Sequence, residues 1–217
     1  VPDVRPDSET TRCLLTHIAA GDPAGVDSLL AHHRDDLRAF IDLHLDRRVR
    51  ARLDPSDVAQ EVQVIVARRL PEFLAGRPVP FHLWARRLAF ERMLNVAEGH
   101  RAARRDVARE AAIPDRSSIA LAQSILAPGP SPSEAAAARE LAERAAAAVE
   151  TLAAADREIL LLRCTEGLPF GEVAVVLGID AAAARQRFGR ALRRLRKALA
   201  EHGIDGGTRH DRPATDE

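Results

Sequence analysis

The sequence predicts an all-α protein made of two small helical domains joined by a flexible linker, and three observations carry that expectation. Ala, Leu and Arg recur at helical spacing along most of the chain, alternation of Val and Ile at the strand period is nearly absent, and one proline-rich stretch, LAPGPSPSE at 126–134, interrupts the helical pattern. Three prolines, one glycine and two serines in that stretch cannot continue a helix. The 217 residues therefore divide into a helical domain over 1–112, a linker over 113–133, a second helical domain over 134–201 and a disordered tail over 202–217.

In the first block the pattern predicts helices over 8–20, 22–48, 54–70 and 78–109, the last with a break expected near Gly99. The third is the best specified. Asp54 suits the cap, Pro55 suits the first helical position, and Val58, Val62, Ile65, Val66 and Leu70 form an inward stripe opposite a polar face of Asp57, Gln60, Glu61, Val64 and Arg68. Residues 113–125 read equally as a short helix or as linker.

Residues 156–200 spell two short amphipathic helices, a tight turn and a basic third helix. Phe170, Val173, Ala174 and Leu177 keep the helical core period, Gly178 ends that helix, Ile179 supplies an apolar anchor, and Asp180 stands where a side-chain oxygen caps the next helix. That helix has an apolar face of Phe188, Ala191, Leu192, Leu195, Ala198 and Leu199. Arg187, Arg190, Arg194 and Lys197 line another. Residues 181–200 hold seven basic side chains and no acidic one. A merely solvated helix usually mixes signs to gain i,i+4 pairs, so the pattern points to a recognition helix in a major groove.

A formal net charge of zero hides segregation. Residues 82–109 balance to +4, residues 181–200 to +7, and the remainder to −11. Two basic islands in an acidic background predict two separate anionic contacts. Cys13 and Cys164 are too few and too isolated for a disulfide framework or zinc site, and they fit a reducing cytosol. No HExxH, glycine-rich phosphate loop or GxSxG is present, so no catalytic residue, metal site or cofactor is expected. The apolar runs are short and broken by charge, and neither membrane contact nor a targeting segment is expected.

The order DPSDVAQEV, PFHLWARRLAFERML, RAARRD, a Pro/Ser linker, and then DREILLLRCTEGLPFGEVAVVLGI with its basic helix resembles bacterial sigma-70-family factors of the extracytoplasmic-function (ECF) type, in particular the planctomycete-style members. The resemblance covers residues 18–200. It implies a region 2 domain and a region 4 helix-turn-helix domain that bind RNA polymerase core through the β′ clamp helices and the β flap, direct it to promoter DNA, and perform no catalysis. An anti-sigma protein is a further candidate partner.

On this resemblance Asp57, Gln60 and Glu61 face the polymerase. Phe81, Trp84, Arg86, Arg87 and Glu91 fall where the family meets the −10 element, with aromatic rings as platforms for unstacked bases. Trp84, the sole tryptophan, reads on its own as a core side chain with base contact as the alternative. Arg101, Arg104 and Arg105 would reach duplex phosphates, and Arg185, Gln186, Arg187, Arg190 and Arg194 would serve the −35 element.

The chain also departs from the family. Gln63 follows the QE pair where an apolar or aromatic residue is common, Glu91 replaces a frequent Asn, Asp180 replaces a Ser or Thr, and Ala181 to Ala184 offer no polar reader. Pro169 stands in place of a Ser or Thr cap and Gly171 falls in the first turn, which together weaken that helix by about 1–2 kcal/mol. The competing class is a free-standing helix-turn-helix regulator, which needs only one DNA contact and usually a self-complementary apolar face. A helical adaptor that binds no DNA fits the all-basic helix poorly.

Replacing Arg101, Arg104 and Arg105 together by Ala should weaken promoter binding across sequences and flatten its salt dependence, because fewer counterions are released. Titration of polymerase-bound protein on promoter DNA at several salt concentrations measures this, and an unchanged slope would place these arginines elsewhere.

Overall fold

The computed structural model describes residues 4–45, 47–51, 53–76, 79–102, 115–126 and 135–204. Among the described residues ten α-helices follow in chain order: α1 Glu9–Ala19, α2 Gly25–His44, α3 Arg47–Arg50, α4 Pro55–Gly76, α5 Phe81–Ala102, α6 Arg116–Ile125, α7 Ala135–Glu150, α8 Ala154–Leu160, α9 Phe170–Leu177 and α10 Ala181–Glu201. No strand occurs among the described residues. The helices form two compact units, one of α1–α5 with residues 174–180, the other of α6–α8, residues 170–173 and α10.

In the first unit α2 packs on α1, α4 and α5, and α4 packs on α5. Val58, Val62, Val66 and Leu70 of the predicted stripe of α4 turn inward, each 2% exposed or less, while Ile65 is only partly covered. Asp54 accepts from the Ser56 N–H at 2.7 Å, which holds its carboxyl below the usual range. Helix α4 outruns its expected end at residue 70 and continues to Gly76 through Pro71. The lost proline N–H is a known helix penalty. Phe73 supplies the reason to continue: it is buried against Phe81 and Trp84, with ring centroids 5.7 and 4.7 Å away. Helix α2 stops at His44, short of the expected 48, where Leu45 turns extended and is itself buried. Gly25 opens α2 so close to α1 that a Cβ there would lie 2.6 Å from Ile18 Cγ1.

Residues 113–125, open between helix and linker on sequence, contain α6, which packs on α7 with Leu121, Ala122 and Ile125 buried. Residues 127–134 of the proline-rich stretch and 205–217 of the expected tail lie outside the described residues. Helix α8 runs directly into a π-helical turn, Leu161–Thr165. Four successive side chains, Ile159 to Leu162, are at most 2% exposed. Consecutive helical positions point to all sides, so this segment is the central post of its unit, contacted by α6 and α10. Burial pushes the Cys164 thiol up to about 11, which keeps it a thiol at neutral pH.

Helix α10 closes on residues 202–204. Gly203 takes φ 68°, Ile204 N–H donates to Leu199 O at 3.0 Å, and Ile204 is buried. Arg144 of α7 donates to the His202 and Gly203 carbonyls at 2.6 and 2.8 Å, satisfying groups that the helix end leaves open. Among the described residues no helix is long and apolar enough to cross a membrane, and no cluster of His, Cys, Asp and Glu could hold a metal.

His33 links α2 to the rest of its unit: Nε2 lies 3.0 Å from Thr11 Oγ1 and the ring sits 4.9 Å from Phe81. Burial, followed by the neighbouring His32, lowers its pKa from 6.5 to about 4. A histidine depressed in the folded state is protonated first in the unfolded chain. Stability should therefore fall as pH drops from about 6.5 to about 4. His33→Gln should flatten that part of the profile, as urea unfolding at stepped pH would show; an identical slope in the variant would exclude His33 as its source.

Candidate nucleic-acid interface

The basic helix α10 buries Ala184, Ala191, Leu195, Ala198 and Leu199. Phe188 and Leu192 of the expected apolar face are only partly covered. Phe188 instead meets Phe170 of α9 in a T-shaped contact, centroids 5.6 Å apart. The guanidinium of Arg163, from the π-helical turn, lies 4.4 Å from the centre of the Phe170 ring and 6.0 Å from that of Phe188, and donates to the Leu168 carbonyl. Arg185 adds a second cation, 5.6 Å from the Phe170 ring. Aromatic faces attract cations electrostatically, so two rings hold two guanidinium groups near the start of α10. Arg163 was invisible as a site residue on sequence, its only signal being a cation inside the apolar run LLLRC.

The five sequence-predicted residues of α10 separate into two sets. Arg185, Gln186 and Arg190 are exposed, as is Arg193. Arg187 and Arg194, one heptad apart, turn to the first turn of α8: Arg187 Nη2 donates to Ala155 O at 2.8 Å, and Arg194 Nη1 lies 2.6 Å from Asp156 Oδ2. Asp156 is buried, with 7% of its side chain exposed, while that of Arg194 is 61% exposed. An anion in a first helical turn is favoured by the helix dipole, yet its burial needs a cation, and Arg194 provides it. Lys197 faces Glu201 at 3.7 Å.

A second charged surface lies on α4 and α5. Asp57, Gln60 and Glu61 are exposed on α4, and Val64, in the same row, is 49% exposed. Glu61 Oε2 accepts from Arg92 Nη2 at 2.7 Å and from Nε at 2.8 Å. On α5, Arg87 donates to Glu91 at 2.9 Å, and Arg69 approaches the same carboxylate at 3.9 Å. Arg86 is half-buried above the Phe40 ring. Phe81 and Trp84 are 1% and 8% exposed and belong with Phe73 to the aromatic core, so neither presents an open stacking face. Burial there follows from position: Phe81 opens α5 and Trp84 lies one turn on, on the face turned to α4 and α2. The side chain of Arg101, and Arg104 and Arg105 entirely, lie outside the described residues.

Residues 142–195 match the family model of sigma-70, region 4. Over 204 residues, 93% of this chain and 90% of the relative, it is 29% identical to the ECF RNA polymerase sigma factor SigD of Mycobacterium tuberculosis (strain H37Rv), and equally to that of Mycobacterium bovis. Two solved structures share its fold. One is CnrH in complex with the cytosolic domain of CnrY, at 24% identity and a TM-score of 0.53, covering 89% of this chain and 98% of that one. The other is the sigma factor RpoE in complex with the anti-sigma factor NepR from Bartonella quintana, at 15% identity and a TM-score of 0.50, covering 82% and 98%. The chain is thus similar to an ECF-type sigma factor along nearly its whole length and to sigma-70 region 4 over residues 142–195, while the solved structures share its fold.

Arg194→Ala should lower the stability of the second unit by about 1–3 kcal/mol, because the buried Asp156 carboxylate loses its partner while solvent still reaches one side of the pair. Arg193→Ala should change it little. Thermal melts of both variants separate the roles: equal melting temperatures would mean that Arg194 is a surface cation like its neighbour.

Proposed function

We propose that this chain binds RNA polymerase core and selects promoters by two DNA contacts, with α10 at the −35 element and α5 at the −10 element. The observation that carries the proposal is the exposed cationic face of α10, which holds no acid over residues 181–200 and is placed directly after the Gly178 turn. Base reading is assigned to Arg185, Gln186 and Arg190, near the start of the helix, where a guanidinium can pair with a guanine edge. Arg193 lies farther along and suits phosphate. Arg187 and Arg194 are assigned to orienting the helix, since their donors already serve α8.

In the first unit the exposed row Asp57, Gln60, Glu61 and Val64 is assigned to the polymerase core: charge sets the register and the valine supplies apolar contact. The −10 surface is assigned to Arg86, Arg87 and Glu91, continued by Arg101, Arg104 and Arg105 toward duplex phosphates. Phe81 and Trp84 serve it from beneath by fixing α5. Glu91 in place of Asn is compatible with DNA contact because Arg87 and Arg69 balance its charge. The planctomycete-style subgroup is supported by motif order, and an anti-sigma protein is the candidate regulator.

Run-off transcription by purified polymerase core, with and without the protein, on a single-base library of the −35 element tests this reading. Core-dependent stimulation of a defined start site is expected. Arg185→Ala or Arg190→Ala should relax preference at one or two base pairs by about 1–3 kcal/mol, the worth of a bidentate contact. Full base preference in both variants would refute the reader assignment. Tight binding of a palindromic operator by the protein alone, with no stimulation of core, would favour a free-standing regulator.

A further inference from the structure

Helix α5 begins after Pro80, a residue whose side chain has no hydrogen-bonding atom, so its first turn lacks a local side-chain cap. The four N-terminal amides are nevertheless all satisfied. Leu83 and Trp84 donate to Pro80 O at 3.2 and 3.1 Å, as the first helical bonds require. Phe81 N–H donates to Asp7 Oδ2 at 2.8 Å, and His82 N–H to Asp7 Oδ1 at 3.2 Å. His82 Nδ1 lies 3.0 Å from the same Oδ1. The cap is therefore supplied from 74 residues away by an aspartate with only 11% of its side chain exposed.

The next residue, Ser8, caps a different helix: its Oγ accepts from Thr11 N–H of α1 at 3.2 Å. Two adjacent side chains thus fix the starts of α1 and α5. Thr11 extends the junction to His33 of α2, which lies against Phe81. Burial raises the Asp7 carboxyl, but the donors His82 and Phe81 outweigh it and hold the group below its ordinary range, so it is an anion at neutral pH.

We infer that Asp7 is a positioning residue for the −10 surface: the segment 4–8 is a strap whose carboxylate sets the start of α5, and with it the placement of Arg86, Arg87 and Glu91 about one to three turns on. The inference rests on the −10 assignment proposed above. Asp7 touches no nucleic acid in this scheme and acts only through the helix that it caps. The strap is held at a helix end and not inside a packed stripe, so its release loosens the first turns of α5 before the rest of the unit.

The test uses the full chain with polymerase core. In Asp7→Ala, hydrogen exchange of the Phe81 and His82 amides should quicken about tenfold, the worth of a lost cap, while amides of α10 keep their protection. Promoter opening, read by permanganate reactivity of thymines in the −10 element, should fall several-fold, with core affinity and −35 base preference unchanged. Asp7→Asn keeps the shape and one acceptor and should lie between. Pro80→Ser in the Asp7→Ala background supplies a local cap and should restore both exchange protection and opening, which a contact needed only for folding of the N-terminus would not do.

Unchanged exchange in Asp7→Ala overturns the cap. Quickened exchange with normal opening overturns the positioning role. Loss of core affinity that Pro80→Ser cannot restore identifies general unfolding and also overturns it. A parent protein that opens no promoter with core refutes the −10 assignment and the positioning role with it, while exchange still decides whether Asp7 is the cap.

Discussion

The fold of the second unit depends on how one helix carries seven cations with a single acid, Glu201, at its last residue. Like charges three and four residues apart, as at Arg190, Arg193, Arg194 and Lys197, each cost about 0.2–0.5 kcal/mol in an isolated helix. Apart from the Lys197–Glu201 pair at its end, the chain offsets the repulsion from outside α10. Asp156 at the start of α8 receives Arg194, the Ala155 carbonyl receives Arg187, and the Phe170 ring receives Arg185. These contacts fall at the N-terminal end of α8 and α9, so satisfying the charges also sets the rotation of α10. With that rotation fixed, Ala191, Leu195 and Ala198 point inward, and Gln186, Arg190 and Arg193 point to solvent.

The first unit solves a related problem with its own acids. Helix α5 carries Arg86, Arg87 and Arg92, and α4 with α5 itself offers Glu61 and Glu91 in return. Exposed pairs of this kind add little stability, typically below 1 kcal/mol. Their effect is geometric, because each pair holds a long side chain in one direction. The aromatic contacts of Phe73, Phe81 and Trp84 supply the burial energy that the pairs lack. An interface on this surface would therefore meet arginines already oriented.

Local pattern made much of this legible. The stripe of α4, the cap at Asp54, the turn at Gly178 and the basic face of α10 all follow from residues within a few positions of one another. What escaped was non-local. Nothing in the neighbourhood of Asp7 points to Phe81, and the apolar run around Arg163 gives no hint of the two rings above its guanidinium. Helix α4 passed Pro71 because Phe73 finds partners on α5, a gain that propensity cannot anticipate. In the candidate site, residue type identified the cations of α10 but not their division, since Arg187 and Arg190 look alike until α8 is placed beside them. Trp84 similarly read two ways, and its 8% exposure places it in the core.

That division bears on how the protein would find DNA. Phosphate contact gives affinity in proportion to the cations that reach the backbone, and those committed to α8 or to Glu201 are less available for it. One helix with a few remaining arginines supports only modest affinity by itself. Linking it through the same chain to a second basic surface turns the second contact into an intramolecular event at high effective concentration, provided the geometry lets both engage. Weak individual contacts joined in this way suit a subunit that acts within a larger machine better than a regulator that must hold an operator alone. On the proposed reading, specificity would rest on Arg185, Gln186 and Arg190, and on the elements, Asp156 and the Phe170 ring among them, that keep those side chains in register.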